Sequence, residues 1–244
     1  MPHIFYLFSI FTALLSPFYL SAQTLTPLYS SQSGFIAPLD IPLVLSGNFG
    51  EFRGDHFHTG LDFKTQGKEG FPVLAVADGI VSRVKVKPWG YGHALYLKHA
   101  DGTTTVYGHL SRYALPISEW LLERQYSKRS FSIDSRPATE ISFSVGDTIG
   151  WSGNSGSSGG PHLHFEVRDE NEKPINPLQW GFHIADSQSP KVGSLRVIPI
   201  DSQGLENRSR THEVKSGGVF EIPSGNIRLA VEANDQLDGA SNVC

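Results

Sequence analysis

The chain has 244 residues, of which 39% are hydrophobic and 18% are charged, and its formal net charge at pH 7 is −4. This composition is too apolar for a disordered chain, and the small negative charge excludes a general affinity for nucleic acid or acidic lipid. Cys244 is the only cysteine, so an internal disulfide and a cysteine-rich zinc site are excluded as well.

The first 22 residues are predicted to be a secretory signal peptide. Residues 4–20 are almost wholly apolar, and this run is shorter than the about 20 residues that a membrane span needs. The small residue Ala22 then offers a plausible cleavage site. No Lys or Arg precedes the run, so an uncleaved anchor stays open as the alternative. In both cases we expect an exported protein, periplasmic or extracellular, and cleavage would leave the mature form without a stable membrane span.

Residues 23–44 are rich in Pro, Ser and Thr and are predicted to be an extended lead-in. The next segment, residues 45–185, is predicted to be a compact antiparallel β domain. Alternating or apolar runs bounded by turn residues predict strands at residues 71–76, 80–86, 94–98, 103–107 and 162–167. The dipeptide formed by Asp101 and Gly102 predicts a hairpin between two of them.

One helix is predicted in this domain, between Pro116 and Ser130. The residues at helical spacing, which define its inner face, are Ile117, Trp120, Leu121 and Gln125. The helix either walls a substrate groove or packs on the outside of the sheet.

Residues 190–244 are predicted to be an incomplete β-rich segment. Strands are predicted at residues 195–200 and 227–233, and the segment resembles the start of an immunoglobulin-like sandwich. A complete sandwich has about seven strands, whereas about four are expected here. The predicted fold class is therefore mainly β, a compact antiparallel sheet domain with one inserted helix followed by a partial β-sandwich-like segment.

Histidines cluster in two short segments. His56 and His58 precede Asp62, and His162 and His164 are two residues apart on a predicted strand, where both face the same side. Zinc binds imidazole nitrogen and carboxylate oxygen, and a catalytic site keeps a fourth position open for water. The pattern favours zinc (Zn²⁺) on His58, Asp62 and His164, with His56 as the alternative to His58.

Three segments, in this order, resemble the signatures of the lysostaphin-type (LytM-like) zinc metallopeptidases, which are peptidoglycan endopeptidases. They are HTGLD at residues 58–62, YGHL at 107–110 and GNSGSSGGPHLHFE at 153–166. The resemblance covers about residues 45–180 and implies a compact antiparallel β domain with the metal in a groove. It implies zinc on His58, Asp62 and His164, with His109 and His162 as the catalytic pair.

The expected reaction is hydrolysis of the peptide cross-links of peptidoglycan, by metal-bound water with histidine acid–base assistance. His162 suits the proton transfer because it lies two residues from a ligand, while His109 either stabilises the oxyanion or shares the proton transfer. Glu166 is expected to face the site and is interpreted as a solvated or hydrogen-bonded residue of the groove rim rather than as a general base. The glycines at 150–160 are interpreted as a turn or as room for the substrate backbone. The alternative function is a non-catalytic LytM-like regulator that binds and activates a cell-wall hydrolase; the complete set of ligands and histidines favours the enzyme.

Overall fold

The computed structural model describes residues 34–189, 191–206, 212–214, 226–238 and 240–242. The predicted signal peptide at residues 1–22 lies outside the described residues, and so does the predicted lead-in as far as residue 33. Across the described ranges, no helix combines the length and the apolar composition needed to cross a membrane.

The described residues form short strands and one α-helix, which interrupts the strand order near the middle of the chain. In chain order the elements are β1 (Leu45–Gly47), β2 (Phe52–Arg53), β3 (His56–Phe57), β4 (Leu61–Lys64), β5 (Pro72–Leu74), β6 (Gly79–Val86), β7 (His93–Lys98), β8 (Thr104–Gly108), β9 (Arg112–Tyr113), α1 (Leu115–Lys128), β10 (Ile133–Ser135), β11 (Ser142–Phe143), β12 (Thr148–Trp151), β13 (His162–Arg168), β14 (Pro174–Ile175), β15 (Lys191–Ile200), β16 (His212–Val214), β17 (Asn226–Leu237) and β18 (Ala240–Asn242). A 3₁₀ turn spans Pro177–Trp180.

The main sheet has the strand order β1-β4-β13-β8-β7-β6-β10, with β11 paired to β6 and β14 paired to β13. A smaller sheet has the order β5-β12-β9, and β2 and β3 form a separate hairpin. The strand pairs in these sheets are antiparallel. The predicted fold class, mainly β with antiparallel sheets and one helix, is confirmed.

The strands β4 and β13 alternate between a core face and a face that carries polar groups. Leu61, Phe63, Leu163 and Phe165 are each 0% exposed and belong to one hydrophobic cluster. Burial of a side chain of this size contributes about 1.5–3 kcal/mol relative to an exposed one. Since successive strand residues face opposite sides, this core directs the intervening polar residues to the other side of the sheet.

The helix α1 lies where the sequence predicted it. It has Pro at one of its first two positions and ends at Lys128. The next residue, Arg129, caps the helix: its φ of 48° is left-handed, and its backbone N–H donates to the carbonyls of Gln125 and Tyr126. Ile117 is fully buried, whereas Trp120 and Leu121 are partly buried against the core. The helix contacts β9 and β10.

Two loops beside the main sheet approach each other so closely that glycine is required at the contact. A Cβ on Gly92 would lie 2.4 Å from the carbonyl carbon of Ser155, and one on Gly156 would lie 2.4 Å from the carbonyl oxygen of Gly90. Both glycines also have positive φ, 62° and 75°. The Ser157 backbone N–H donates to the Gly90 carbonyl at 2.9 Å, so the two loops are hydrogen-bonded as well.

The strands near the carboxyl end form their own antiparallel sheet, in the order β16-β15-β17-β18. The strands predicted at residues 195–200 and 227–233 lie within β15 and β17. The separate domain boundary near residue 190, and the relation of this sheet to a sandwich, stay predictions.

Candidate metal centre and catalytic histidines

Neighbouring strands bring together residues that lie far apart in the sequence. The register of β13 against β4 pairs His164 with Asp62, and its register against β8 pairs His164 with Gly108. His58 follows β3, and its backbone N–H donates to the carbonyl of Glu51 at 2.7 Å. The sheet and the hairpin therefore converge on one cluster.

His58, Asp62 and His164 are 4%, 3% and 3% exposed. The Nε2 atom of His58 lies 3.0 Å from Nδ1 of His164, and the Oδ1 atom of Asp62 lies 2.9 Å from that Nδ1 and 3.1 Å from that Nε2. Two ligands of a tetrahedral zinc at about 2.0–2.1 Å are separated by about 3.3 Å. Both the spacing and the set of two imidazoles and one carboxylate fit a metal ion such as zinc.

His56 does not join this cluster. Its ring nitrogen Nδ1 lies 2.6 Å from the Asp55 carboxylate, and its side chain is 65% exposed. The structure therefore places His58, rather than His56, beside Asp62.

The carboxylates of the cluster favour a positive charge, either a proton or a metal cation, among the side chains of His58, Asp62 and His164. Burial raises the pKa of Asp62, but hydrogen bonds from His162, His164 and His58 outweigh it and hold that pKa well below its usual range. Burial likewise lowers the pKa of His164, but the carboxylates of Asp62 and Glu166 raise it to about 9. A bound metal cation would satisfy the same carboxylates in place of a proton.

Each of the three candidate ligands has a further partner on its outer side. The Nδ1 atom of His58 lies 2.8 Å from the backbone carbonyl of Asn48, and Arg53 Nη2 donates to Oδ2 of Asp62 at 2.6 Å. The Nε2 atom of His164 lies 2.9 Å from Oε1 of Glu166. Such contacts fix the orientation of a ligand and raise its basicity.

The predicted catalytic histidines lie beside the cluster and in contact with each other. Their ring centroids are 4.6 Å apart, and Nε2 of His162 lies 3.5 Å from Oδ1 of Asp62. Their Nδ1 atoms face backbone carbonyls, of Ser155 for His109 and of Gly160 for His162, at 2.8 Å each. With the proton on Nδ1, each ring presents an Nε2 that can accept one.

His109 is in addition conformationally unusual. Its φ is 58°, in the left-handed region that only a few per cent of non-glycine residues adopt. Burial lowers its pKa to about 4, against the opposing effect of the hydrogen bond to the Ser155 carbonyl. The ring is therefore neutral near pH 7.

Sequence reasoning missed Arg53, Tyr91 and Ser155. They contact the site residues Asp62, His164 and His109, in that order, and no sequence pattern indicates these pairs. Glu166 is hydrogen-bonded and faces the site, as expected, but its position on the rim is wrong, because its side chain is 0% exposed. A carboxylate on the strand face that also carries His162 and His164, two residues after a ligand, was the available signal. Among the loop glycines, Gly159 has open space around it, as the substrate-approach interpretation requires.

Comparisons with known proteins agree with the motifs. Residues 56–121 match the family model described as Peptidase family M23. The chain is 36% identical, over 121 residues, to the DD-carboxypeptidase/endopeptidase Mpg of Neisseria meningitidis serogroup B, a match that covers 50% of this chain and 22% of the relative. It is 29% identical, over 134 residues, to the peptidoglycan DD-endopeptidase ShyA of Vibrio cholerae, covering 55% and 25%.

Among solved structures, the catalytic domain of the prophage-encoded M23 protein EnpA of Enterococcus faecalis is 26% identical, with a TM-score of 0.45. That match covers 63% of this chain and 100% of the other. The chain spans only about a quarter of the length of the curated relatives named above, at 22% and 25%.

Proposed function

We propose that the chain is a member of peptidase family M23, whose model matches residues 56–121, and that it is a zinc-dependent endopeptidase that hydrolyses the peptide cross-links of bacterial peptidoglycan. The observation that carries the proposal is the buried cluster of His58, Asp62 and His164, with His109 and His162 beside it. The printed names of the relatives, a DD-carboxypeptidase/endopeptidase and a peptidoglycan DD-endopeptidase, support the substrate.

In the proposed site, His58 and His164 supply imidazole nitrogens and Asp62 supplies one carboxylate oxygen. Zinc, when bound, supplies Lewis acidity that polarises the scissile carbonyl and makes water more acidic. Asp62 keeps its second oxygen on Arg53, so only Oδ1 is directed toward the two histidines.

The two remaining histidines, His109 and His162, are proposed to transfer the protons of the reaction. His162 accepts the proton of the attacking water at Nε2, since this atom lies 3.5 Å from Oδ1 of the ligand Asp62, and returns it to the leaving amine. His109, in ring contact with His162, shares the transfer by accepting a proton at Nε2, or stabilises the developing oxyanion once that nitrogen is protonated. The backbone carbonyls at both Nδ1 atoms keep the rings in place during the exchange.

We also propose that the protein acts outside the cytoplasm, in the periplasm or beyond the cell. Two observations support this location: the apolar run near the amino terminus and the peptidoglycan named for a relative. Amino-terminal sequencing of the exported protein is expected to find a start near Gln23, and a protein that keeps Met1 in the cytoplasm would contradict it.

Zinc content and peptidoglycan cleavage, measured on the same preparations, test the function. We expect about one zinc per chain, with loss of metal in His58→Ala, Asp62→Ala and His164→Ala. His109→Ala and His162→Ala are expected to keep the metal but to lose about 10²–10⁴-fold in turnover. His56→Ala is the matched control, because His56 is an exposed histidine of the same hairpin outside the cluster.

The results separate the two candidate functions. A chain that binds zinc and releases peptides from peptidoglycan is the enzyme. A chain that cleaves nothing by itself but raises the activity of an added cell-wall hydrolase would instead be the non-catalytic regulator. Near-normal turnover in His109→Ala or His162→Ala would show that the substituted residue is not catalytic.

A further inference from the structure

His164 differs from the other histidines of the site in which of its two ring nitrogens faces the metal cluster. His58, His109 and His162 each have Nδ1 against a backbone carbonyl, which leaves Nε2 directed into the site. His164 has the reverse arrangement, with Nδ1 facing His58 and Asp62, and Nε2 facing the carboxylate of Glu166 at 2.9 Å. A backbone carbonyl orients the first three rings, whereas a charged side chain orients the fourth.

The contacts of Glu166 exclude a direct part in the reaction. Its Oε1 accepts from Thr59 Oγ1 at 2.6 Å and from the hydroxyl of Tyr91, in addition to facing His164. Its Oε2 accepts from Arg168 Nε at 2.7 Å. With four donors around a side chain that is 0% exposed, neither oxygen is accessible to a substrate or to water.

The same contacts hold the carboxylate in one position. The ring of Tyr91 stacks on that of His164, with centroids 4.9 Å apart and an angle of 22° between the planes. The hydroxyl of that tyrosine reaches Glu166, so one side chain restrains both the imidazole and its acceptor. Rotation of the His164 ring by half a turn would break the bond to the carboxylate and direct the wrong nitrogen at the cluster.

We propose that Glu166 is a positioning residue: its carboxylate accepts the Nε2–H of His164, so that Nδ1 is the nitrogen that this ring presents to the metal. A neutral imidazole carries one N–H and one acceptor nitrogen, so an acceptor at Nε2 decides that Nδ1 is free to bind. A carboxylate behind a metal-binding histidine also strengthens the ligand. This inference rests on the metal site of the proposed function.

Zinc affinity, measured on the full chain by competition with a chromophoric chelator, tests the inference. Glu166→Gln is expected to weaken zinc binding about 10–100-fold, the usual cost of losing such an outer partner. Glu172→Gln is the matched control, since Glu172 also lies beside Arg168, at 3.9 Å, but is not a partner of His164. We expect its zinc affinity to stay within about twofold of the parent chain.

Nitrogen-15 NMR of the histidine rings gives a readout that a general loss of stability would not produce. In the zinc-loaded parent we expect the His164 signals of a metal-bound Nδ1 and a protonated Nε2. Should Glu166→Gln not fold, Tyr91→Phe removes one donor to the carboxylate and keeps the stacked ring. That variant is expected to lose zinc affinity by a smaller factor, and unchanged affinity in it would then count against the proposal.

Two results would overturn the positioning role: zinc affinity of folded Glu166→Gln within twofold of the parent, or zinc bound through Nε2 of His164. Neither measurement uses peptidoglycan, so failure of the positioning role can be distinguished from failure of the proposed endopeptidase activity. A parent chain that binds zinc through Nδ1 but cleaves no peptidoglycan would overturn the endopeptidase and leave the role of Glu166 standing. A parent chain that binds no zinc would overturn the positioning role together with the metal site.

Discussion

Gly60 lies between the candidate ligands His58 and Asp62, directly before β4, at a point where the backbone approaches that of β13. A Cβ at this position would lie 2.3 Å from the carbonyl oxygen of Phe165, a distance that requires the backbone to shift. The absence of a side chain is therefore a condition for the pairing that places Asp62 opposite His164.

Gly60→Ala is expected to lower the free energy of unfolding by about 1–3 kcal/mol, the usual cost of overpacking, and to weaken zinc binding. Gly159→Ala is the control, because a Cβ there would have no neighbour within 4 Å. Denaturant unfolding and chelator competition measure the two effects. Equal stability and equal zinc affinity in both variants would show that β4 can move without consequence.

His99 is a buried histidine that the proposed mechanism does not use. It is 6% exposed, and its ring nitrogens lie 2.8 Å from the carbonyl of Asp78 and 2.8 Å from Oγ1 of Thr105. Burial lowers the pKa of the His99 imidazole, which therefore folds in its neutral form.

The stability of the chain should consequently depend on pH through His99. A histidine whose pKa is lower in the folded than in the unfolded state contributes fully above the unfolded value of about 6.5, and this contribution is lost as the pH falls through the folded value. We expect His99→Asn to be less stable near pH 8 but to lose less stability on acidification below 6.5. Unfolding free energies across this range test it, with His183→Asn as the exposed control; parallel pH curves for His99→Asn and the parent would contradict it.

At the scale of elements, α1 is attached to the β domain by few buried side chains. Ile117 is fully buried, whereas Leu122 and Tyr126 are 55% and 77% exposed. This contrast within one helix separates the contribution of packing from that of helix formation.

Ile117→Ala is expected to cost about 2–5 kcal/mol of unfolding free energy, because it leaves a cavity against the core. Leu122→Ala, on the exposed side of the same helix, should stay within about 0.5 kcal/mol of the parent. Both substitutions are compatible with a helix, so circular dichroism should be unchanged at low temperature. A small change in unfolding free energy for Ile117→Ala would mean that the chain segments before and after the helix, rather than this buried side chain, hold it in place.

The elements that periodicity describes were predictable from the sequence. The alternation of β13, with Leu163 and Phe165 inward, predicted both the strand and the face on which His162 and His164 lie. Strands of two residues, such as β2 and β3, are too short to show a period, and no prediction covered them. The bond from Arg53 to Asp62 depends on that hairpin, so it was equally outside the reach of pattern reasoning.

At the scale of the whole molecule, the residues proposed for binding and catalysis all precede the segment that starts near residue 190. The strands β15–β18 pair among themselves, and none of their residues belongs to the described metal cluster. We therefore propose that the β domain carries the activity by itself.

A chain that ends at Ser187 is expected to keep zinc and to cleave peptidoglycan at a similar rate. Metal content and turnover of the shortened and full chains test this, with unfolding curves to compare their stability. If the shortened chain kept its zinc but lost turnover, residues 190–244 would take part in substrate binding, and the proposed division of the molecule would be wrong.

The contact between Gly92 and Gly156 has a consequence for the natural variation that this protein can tolerate. Neither residue carries a reactive group, yet any side chain at either one would collide with the backbone of the opposite loop. A single substitution cannot be rescued at the partner position, since the partner already has the smallest side chain. In a saturation library selected for folded protein, both positions should therefore keep glycine. Gly159 and Gly160 have open space around them and should accept other residues.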